Sequence, residues 1–226
     1  MAFLVNIEGI DGSGKGTQAR LLSERLTAAN VTHQVFSFPR YAETLFGRLA
    51  GEFLNGRFGT LQEVHPQLAA LVFAGDRFES KQLLLEAIAA NEVVILDRYV
   101  PSNAAHQAAK CQGEERRLLI KRIFQIEYDI YGLPWPDLSV LLDIPVATAQ
   151  DLIARKSQRD YTDRAADIQE ADGRYLEEVR TVYQSLAREA RWHILEGLCG
   201  GEMRPMEEIA AELWQLLPAE LTGKSR

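Results

Sequence analysis

Cysteine is nearly missing from this chain: Cys111 and Cys199 are the only two in 226 residues, and they stand far apart. Two distant thiols give neither a disulfide framework nor the paired spacing of a zinc site. Nothing therefore calls for an oxidising compartment, and a reduced cytoplasm is expected. The chain also lacks any apolar run of the roughly 18 or more residues that a membrane span requires. Its apolar start, Met1-Ala2-Phe3-Leu4-Val5-Asn6-Ile7, has no basic leader and no cleavage site, so it reads as a first strand rather than a secretion signal. Positive charge is scarce as well: 25 Lys and Arg against 32 Asp and Glu leave a net charge of −7. That balance argues against bulk attraction to nucleic acid or to an anionic membrane surface. Repeats, low-complexity tracts and linkers are absent too, so one domain spanning residues 1–226 is expected.

What is present is an alternation of short apolar runs with helical patterns. Phe3 to Glu8 is followed by a turn over Gly9 to Gly16 and by helical spacing from Thr17 to Ala29, with Leu21, Leu22 and Leu26 on one side. His33 to Phe38 reads as a second strand ended by Pro39, and a long helical stretch follows from about Val64 to Ala90. Val93-Val94-Ile95-Leu96 has the continuous β-branched character of a buried parallel strand. Leu138 to Leu142 and Trp192 to Leu195 supply two more. Every gap is long enough for a parallel crossover, so the order predicts an α/β fold, a three-layer sandwich around a five-stranded parallel sheet.

The turn Gly9-Ile10-Asp11-Gly12-Ser13-Gly14-Lys15-Gly16-Thr17 matches the G-x-x-x-x-G-K core of a phosphate-binding loop. Glycines let the backbone curl with its N–H groups inward, and the following helix adds the positive end of its dipole. Lys15 supplies a point charge for the β- and γ-phosphates of a nucleotide. The motif usually places Ser or Thr directly after the lysine to ligate Mg²⁺; here Gly16 stands there, with Thr17 next. Water is one candidate for that coordination position. A second cationic segment, Arg155 to Arg164, carries Arg155, Lys156, Arg159 and Arg164 among ten residues with almost no apolar content. It reads either as a solvated loop between helices or as a hinged lid, at about 155–165, that closes on phosphate.

One family gathers these motifs. Glu8 to Lys15, Phe38-Pro39-Arg40-Tyr41, Phe73-Ala74-Gly75-Asp76-Arg77, Asp97-Arg98-Tyr99-Val100-Pro101-Ser102-Asn103 and Gly132-Leu133-Pro134-Trp135-Pro136-Asp137, in that order, resemble thymidylate kinase. The resemblance implies transfer of the γ-phosphate of ATP to dTMP, with Mg²⁺ as cofactor and a homodimeric assembly. It implies that Phe73 stacks on thymine and Arg77 reads its carbonyl edge, while Ser102 and Asn103 contact the base and the neighbouring phosphate region. Phe38 and Pro39 line that pocket, Tyr41 and Arg98 hold the dTMP phosphate, and Asp11 helps organise Mg²⁺ and the acceptor. The residues fit these roles without the name. Asp97 ends the buried run at the edge where α/β folds bind ligands, a second candidate beside Asp11 for the metal, directly or through water. Arg98 follows it and suits a bidentate phosphate clamp. Phe73 and Arg77 are four apart and share a helical face. Plain core packing for Phe73, a surface ion pair for Asp76 and Arg77, and an exposed turn for Asp11 are the bland alternatives.

The phosphate loop has Gly12-Ser13 where some relatives carry an arginine, so the missing cation is expected from Arg155 and Arg159. His106 stands where relatives present Tyr or Phe beside the deoxyribose, with Gln107 next to it, and Gln169 falls where some use Tyr. Surface and contact roles are both open for His106 and Gln169. The nearest rival is adenylate kinase, whose G-K-G-T-Q run Gly14 to Gln18 reproduces. A deoxynucleoside kinase, which usually places Glu-Arg-Ser where Asp97-Arg98-Tyr99 stands here, and a non-catalytic nucleotide switch, against which Lys15 and the basic segment speak, are further alternatives.

Overall fold

The computed structural model describes residues 1–154, 172–188 and 191–223. Five strands, β1 (Phe3–Glu8), β2 (His33–Ser37), β3 (Val93–Asp97), β4 (Leu138–Asp143) and β5 (Trp192–Glu196), form one sheet in the order β2-β3-β1-β4-β5. Every pairing is parallel. The expected strands are all present, with ends displaced by a residue or so; β2 stops at Ser37, before the cis Phe38–Pro39 peptide.

Alternation along each strand divides the interior in two. Leu4, Val94, Leu96 and Leu141 face one side, packed by α2 (Leu45–Leu54), α3 (Pro66–Glu79), α4 (Lys81–Ala90), α5 (Val100–Ala108), α6 (Gly113–Phe124), α7 (Val146–Ala154) and α8 (Gly173–Leu186). Val5, Ile7, Val93, Ile95 and Val140 face the other, covered by α1 (Lys15–Ala28) and α9 (Met206–Gln215). Because side chains on a strand have period two, these runs bury both faces and read as continuously apolar. The result is the expected three-layer α/β sandwich. A small antiparallel ribbon joins Leu198–Cys199 to Glu202–Met203, and a short helix, α10 (Ala219–Thr222), follows α9.

The stretch read as one helix from Val64 to Ala90 is two, α3 and α4, meeting at Ser80. Ser80 keeps helical torsions, so the periodicity carries across the join and no Gly or Pro marks it. A π-helical turn, Gln125–Ile130, extends α6. The cationic segment 155–165, with Arg155, Lys156, Arg159 and Arg164, and also Gln169, lies outside the described residues.

The site is set by sheet register. Ile7 of the central β1 is level with Asp97 of β3, and Ser37 of β2 is level with Asp97 on its other side. The strands thus end together, and Gly9, Phe38 and Arg98 leave the sheet at one edge, where the chain reverses its direction of winding.

Candidate active site

One cavity of about 360 Å³ opens along this edge. At one end it is lined by Asp11, Gly12, Gly14, Lys15 and Gly16, at the other by Phe38, Pro39, Tyr41, Phe73, Arg77, Asn103 and Gln107. Asp97, Arg98, Ser102 and His106 lie on the wall as well. Of the residues anticipated for binding, Gly9, Ile10, Ser13 and Thr17 do not reach the cavity surface. Ile10 is core, and Ser13 is buried behind the lysine.

The loop has the shape its glycines permit. Gly12 adopts φ +83°, and a Cβ there would sit 2.4 Å from the carbonyl oxygen of Ala149. Lys15, the first residue of α1, is buried and donates from Nζ to the carbonyl of Ile10 at 2.8 Å. Burial, followed by the charge of Arg98, lowers its pKa to about 7; Asp11, Asp97 and Glu8 oppose the shift. Gly16 is exposed, and a Cβ on it would stand 3.2 Å from Asp97 Oδ2. The carboxylate of Asp97 therefore flanks the place that a hydroxyl occupies in the usual motif.

Arg98 is held from several directions. It takes φ 68°, a left-handed conformation that costs a non-glycine residue about 1–2 kcal/mol. What over-determines it is a buried carboxylate that sequence reading did not single out. Glu8 Oε1 accepts from the backbone N–H of Tyr99 at 2.9 Å and of Ser102 at 3.2 Å, capping the start of α5. Its Oε2 accepts from Ser102 Oγ at 2.5 Å and from the hydroxyl of Tyr183 at 2.9 Å. The Arg98 guanidinium pairs with Asp11 through Nη2 and donates from Nη1 to Ser102 Oγ at 3.3 Å. Asp11 is thus engaged with Arg98 rather than standing in an exposed turn.

His106 is interior, not superficial. The hydroxyl of Tyr175 donates to the His106 backbone carbonyl at 2.8 Å and lies 3.1 Å from His106 Nδ1. A phenol has one proton, so the ring nitrogen must donate to it, and the imidazole is the Nδ1–H tautomer. Its Nε2 is then an acceptor, 3.4 Å from Arg98 Nη1. Burial pushes the pKa of His106 down to about 3, with Asp11 opposing and Arg98 assisting, so the ring stays neutral.

At the far end, Phe73 meets Phe53 edge-on, with ring centroids 6.0 Å apart, and also lines the cavity. Asp76 and Arg77 are both buried, so they form no surface ion pair. Asp76 instead accepts from Thr44 Oγ1 at 2.5 Å and from the Arg40 N–H at 3.0 Å, and burial raises its pKa despite both bonds. Arg77 forms a two-pronged pair with Glu127 of the π-helical turn, Nε to Oε2 at 2.5 Å and Nη2 to Oε1 at 2.8 Å. Asn103 donates from Nδ2 to the Ala70 carbonyl at 2.9 Å and to Glu127 Oε1 at 2.8 Å. Among the described residues, Asn103 Oδ1 and both polar atoms of the Gln107 side chain have no partner. Buried polar groups left unpaired cost about 1–3 kcal/mol each.

Residues 7–198 match the family model for thymidylate kinase. The chain belongs to the thymidylate kinase family. A thymidylate kinase from Mycobacterium tuberculosis is 35% identical over 195 residues, spanning 85% of this chain and 90% of that protein. A probable thymidylate kinase from Pyrococcus abyssi is 32% identical over 223 residues, 98% of each chain. The solved structure of a thymidylate kinase from Candida albicans superposes with a TM-score of 0.73 at 24% identity, covering 98% of this chain and 92% of that one, which shows the shared fold. Membership makes the chain an ATP-dependent nucleotide-binding kinase whose family phosphorylates dTMP to dTDP. Among the described residues no helix is long and apolar enough to cross a membrane.

Proposed function

We propose that this chain moves the γ-phosphate of Mg-ATP to dTMP within the single cavity described above, in the cytoplasm and as a homodimer. The observation that carries the reading is continuity: the phosphate loop and the aromatic, amide-lined end belong to one cavity, with Arg98 between them. Two anionic substrates entering from opposite ends would meet in line at that arginine.

Phosphoryl transfer needs positioning and charge compensation more than covalent chemistry. The loop N–H groups and Lys15 would hold the donor phosphates. Arg98, already oriented by Asp11, Ser102 and His106, would face the acceptor phosphate, exchanging part of its pairing with Asp11 for the substrate. Closing the site removes water, which strengthens each of these contacts. Tyr41, Phe38, Pro39 and Phe73 would enclose the nucleoside, and the 155–165 segment, with Arg155 and Arg159, would serve as the lid. Magnesium fits the residues present in the manner usual for it, with one or two carboxylates plus phosphate oxygens and water rather than a protein cage. No cluster of three metal-ligating side chains occurs among the described residues, and Asp97 beside Gly16 is the better placed carboxylate, since Asp11 is paired. When bound, the ion would neutralise charge on the phosphates. An exposed apolar stripe on α3, Leu68, Leu71 and Phe78, supports the homodimer.

The test is a substrate panel. With Mg-ATP and equal concentrations of nucleoside monophosphates, ADP release is expected chiefly with dTMP. Turnover with AMP instead would transfer the reading to adenylate kinase, and no turnover with any acceptor would leave a nucleotide switch.

A further inference from the structure

We infer that helix α8 positions the phosphate clamp from behind: Tyr183, acting through Glu8 and Ser102, and Tyr175, acting through His106, fix where the Arg98 guanidinium stands. Neither tyrosine lines the cavity, and nor does Glu8, so all three are positioning residues that touch no nucleotide. The inference rests on Arg98 holding the acceptor phosphate, and goes beyond that reading in naming what holds Arg98.

Arg98 Nη1 can only donate. It faces Ser102 Oγ at 3.3 Å, His106 Nε2 at 3.4 Å and the Gly9 carbonyl at 3.5 Å. A hydroxyl or an imidazole can turn either a proton or a lone pair toward that N–H, and only the lone pair attracts it. For both side chains the choice is made on the far side, by groups that α8 carries or braces.

Ser102 Oγ donates to Glu8 Oε2 at 2.5 Å, which draws its proton away from Arg98. Glu8 is not free to turn. Its Oε1 accepts from the N–H groups of Tyr99 and Ser102 and from Asn6 Nδ2, while Oε2 also accepts from the Tyr183 hydroxyl. Burial, followed by the Glu8 charge, pushes the pKa of Tyr183 well above the ordinary phenol value, so it keeps the proton it donates. That hydroxyl also lies 2.8 Å from Ser102 Oγ, closing a triangle in which Glu8 and Tyr183 are both 0% exposed. One turn further along α5, Tyr175 accepts the Nδ1 proton of His106 and donates to its carbonyl, leaving the Nε2 lone pair toward Arg98. Tyr183 meets the same imidazole edge-on, with ring centroids 6.3 Å apart. When the acceptor phosphate displaces part of the Asp11 pairing, Ser102 and His106 are the side chains that stay on the guanidinium, and both are braced from α8.

The experiment is a double-mutant cycle on kcat with saturating Mg-ATP and dTMP. Tyr183→Phe and Tyr175→Phe keep the rings and remove one hydroxyl each, and each is expected to lower kcat about three- to tenfold. Equilibrium ATP affinity without acceptor is expected to stay within twofold. Glu8→Gln sets an amide N–H₂ against Ser102 and Tyr183, so the Ser102 proton loses its acceptor; a fall of about ten- to a hundredfold is expected. If Glu8→Gln does not fold, the two tyrosine variants decide. On an Arg98→Ala background neither tyrosine change is expected to lower kcat further, because residues that act as one unit are not additive. A general loosening of the fold would lower kcat equally on both backgrounds. Unchanged kcat in either tyrosine variant, or the same loss with and without Arg98, would overturn the inference. Should another nucleoside monophosphate prove to be the acceptor, the proposed function fails, while the cycle run with that acceptor still decides the role of α8.

Discussion

Lys15 gives the sharpest quantitative handle on the phosphate loop. With no nucleotide beside it, burial and Arg98 bring its pKa down to about 7, so at pH 8 about nine-tenths of the molecules hold it neutral. A bound phosphate charge at about 4 Å is worth roughly 4 kcal/mol at an effective dielectric of 20, which is about three pKa units. The complex would then hold Lys15 protonated up to about pH 10. The sign follows: ATP binding takes up a proton above pH 7. The uptake should be about 0.9 at pH 8 and about 0.1 at pH 6, and affinity should fall close to tenfold per pH unit between them and pH 10 once pH exceeds 7. Calorimetric titration of ATP without metal, in two buffers of different ionisation enthalpy, reads the proton number directly. Lys15→Arg, which cannot lose its charge in this range, should abolish the uptake. An uptake below about 0.3 at pH 8, or the same value in Lys15→Arg, would refute a lysine poised by burial.

The other expectations concern the wall and the loop. Arg98→Ala should lower kcat roughly 10²- to 10³-fold, as loss of a pre-set charge donor does, with ATP affinity in equilibrium titration kept within a few-fold; wild-type turnover would remove Arg98 from the phosphate clamp. His106 has a folded pKa of about 3 against roughly 6.5 unfolded. Its contribution to stability is complete above 6.5 and is lost as pH falls from there toward 3, about 2 kcal/mol by pH 5. Urea denaturation at pH 7 and pH 5 should show that loss in the wild type and a smaller one in His106→Asn; equal losses would contradict the neutral, buried imidazole. Gly12→Ala forces a positive φ on alanine and drives its methyl into the Ala149 carbonyl. It should cost about 2–4 kcal/mol, a fall in Tm of roughly 4–16 °C for a chain of this size, whereas unchanged thermal unfolding would mean the loop is not held in this shape.

What the sequence made legible was whatever depends on nearby residues. Val93 to Leu96 is a buried strand because each of its side chains must face an apolar layer, and the glycine turn after β1 can serve few purposes other than cradling an anion. Arg98 was legible from the strand end before it, and Phe73 and Arg77 from their shared helical face, whereas the place of Phe73 and Asn103 in the pocket came from the resemblance to thymidylate kinase. The partners were not legible. Glu8 lies in plain view in the turn motif, yet its bonds run to Tyr99, Ser102 and Tyr183, 91 to 175 positions away. Glu127 lies 50 residues from Arg77, and nothing local distinguishes it from a solvated carboxylate on α6. A clue was available in Arg77 itself, since an arginine on an apolar helix requires a buried anion. The division of α3 from α4 at Ser80 escaped as well, since Ser80 keeps helical torsions and no Gly or Pro marks the join.

The central claim is that donor and acceptor nucleotides share one cavity and meet at Arg98. Calorimetric binding of thymidine and adenosine joined through a polyphosphate bridge tests it most directly. The linked compound is expected to bind one per chain, at least about a hundredfold more tightly than ATP or dTMP alone, because the second contact becomes intramolecular, and Arg98→Ala should erase most of that gain. Two molecules per chain, or an affinity no better than that of ATP, would contradict it.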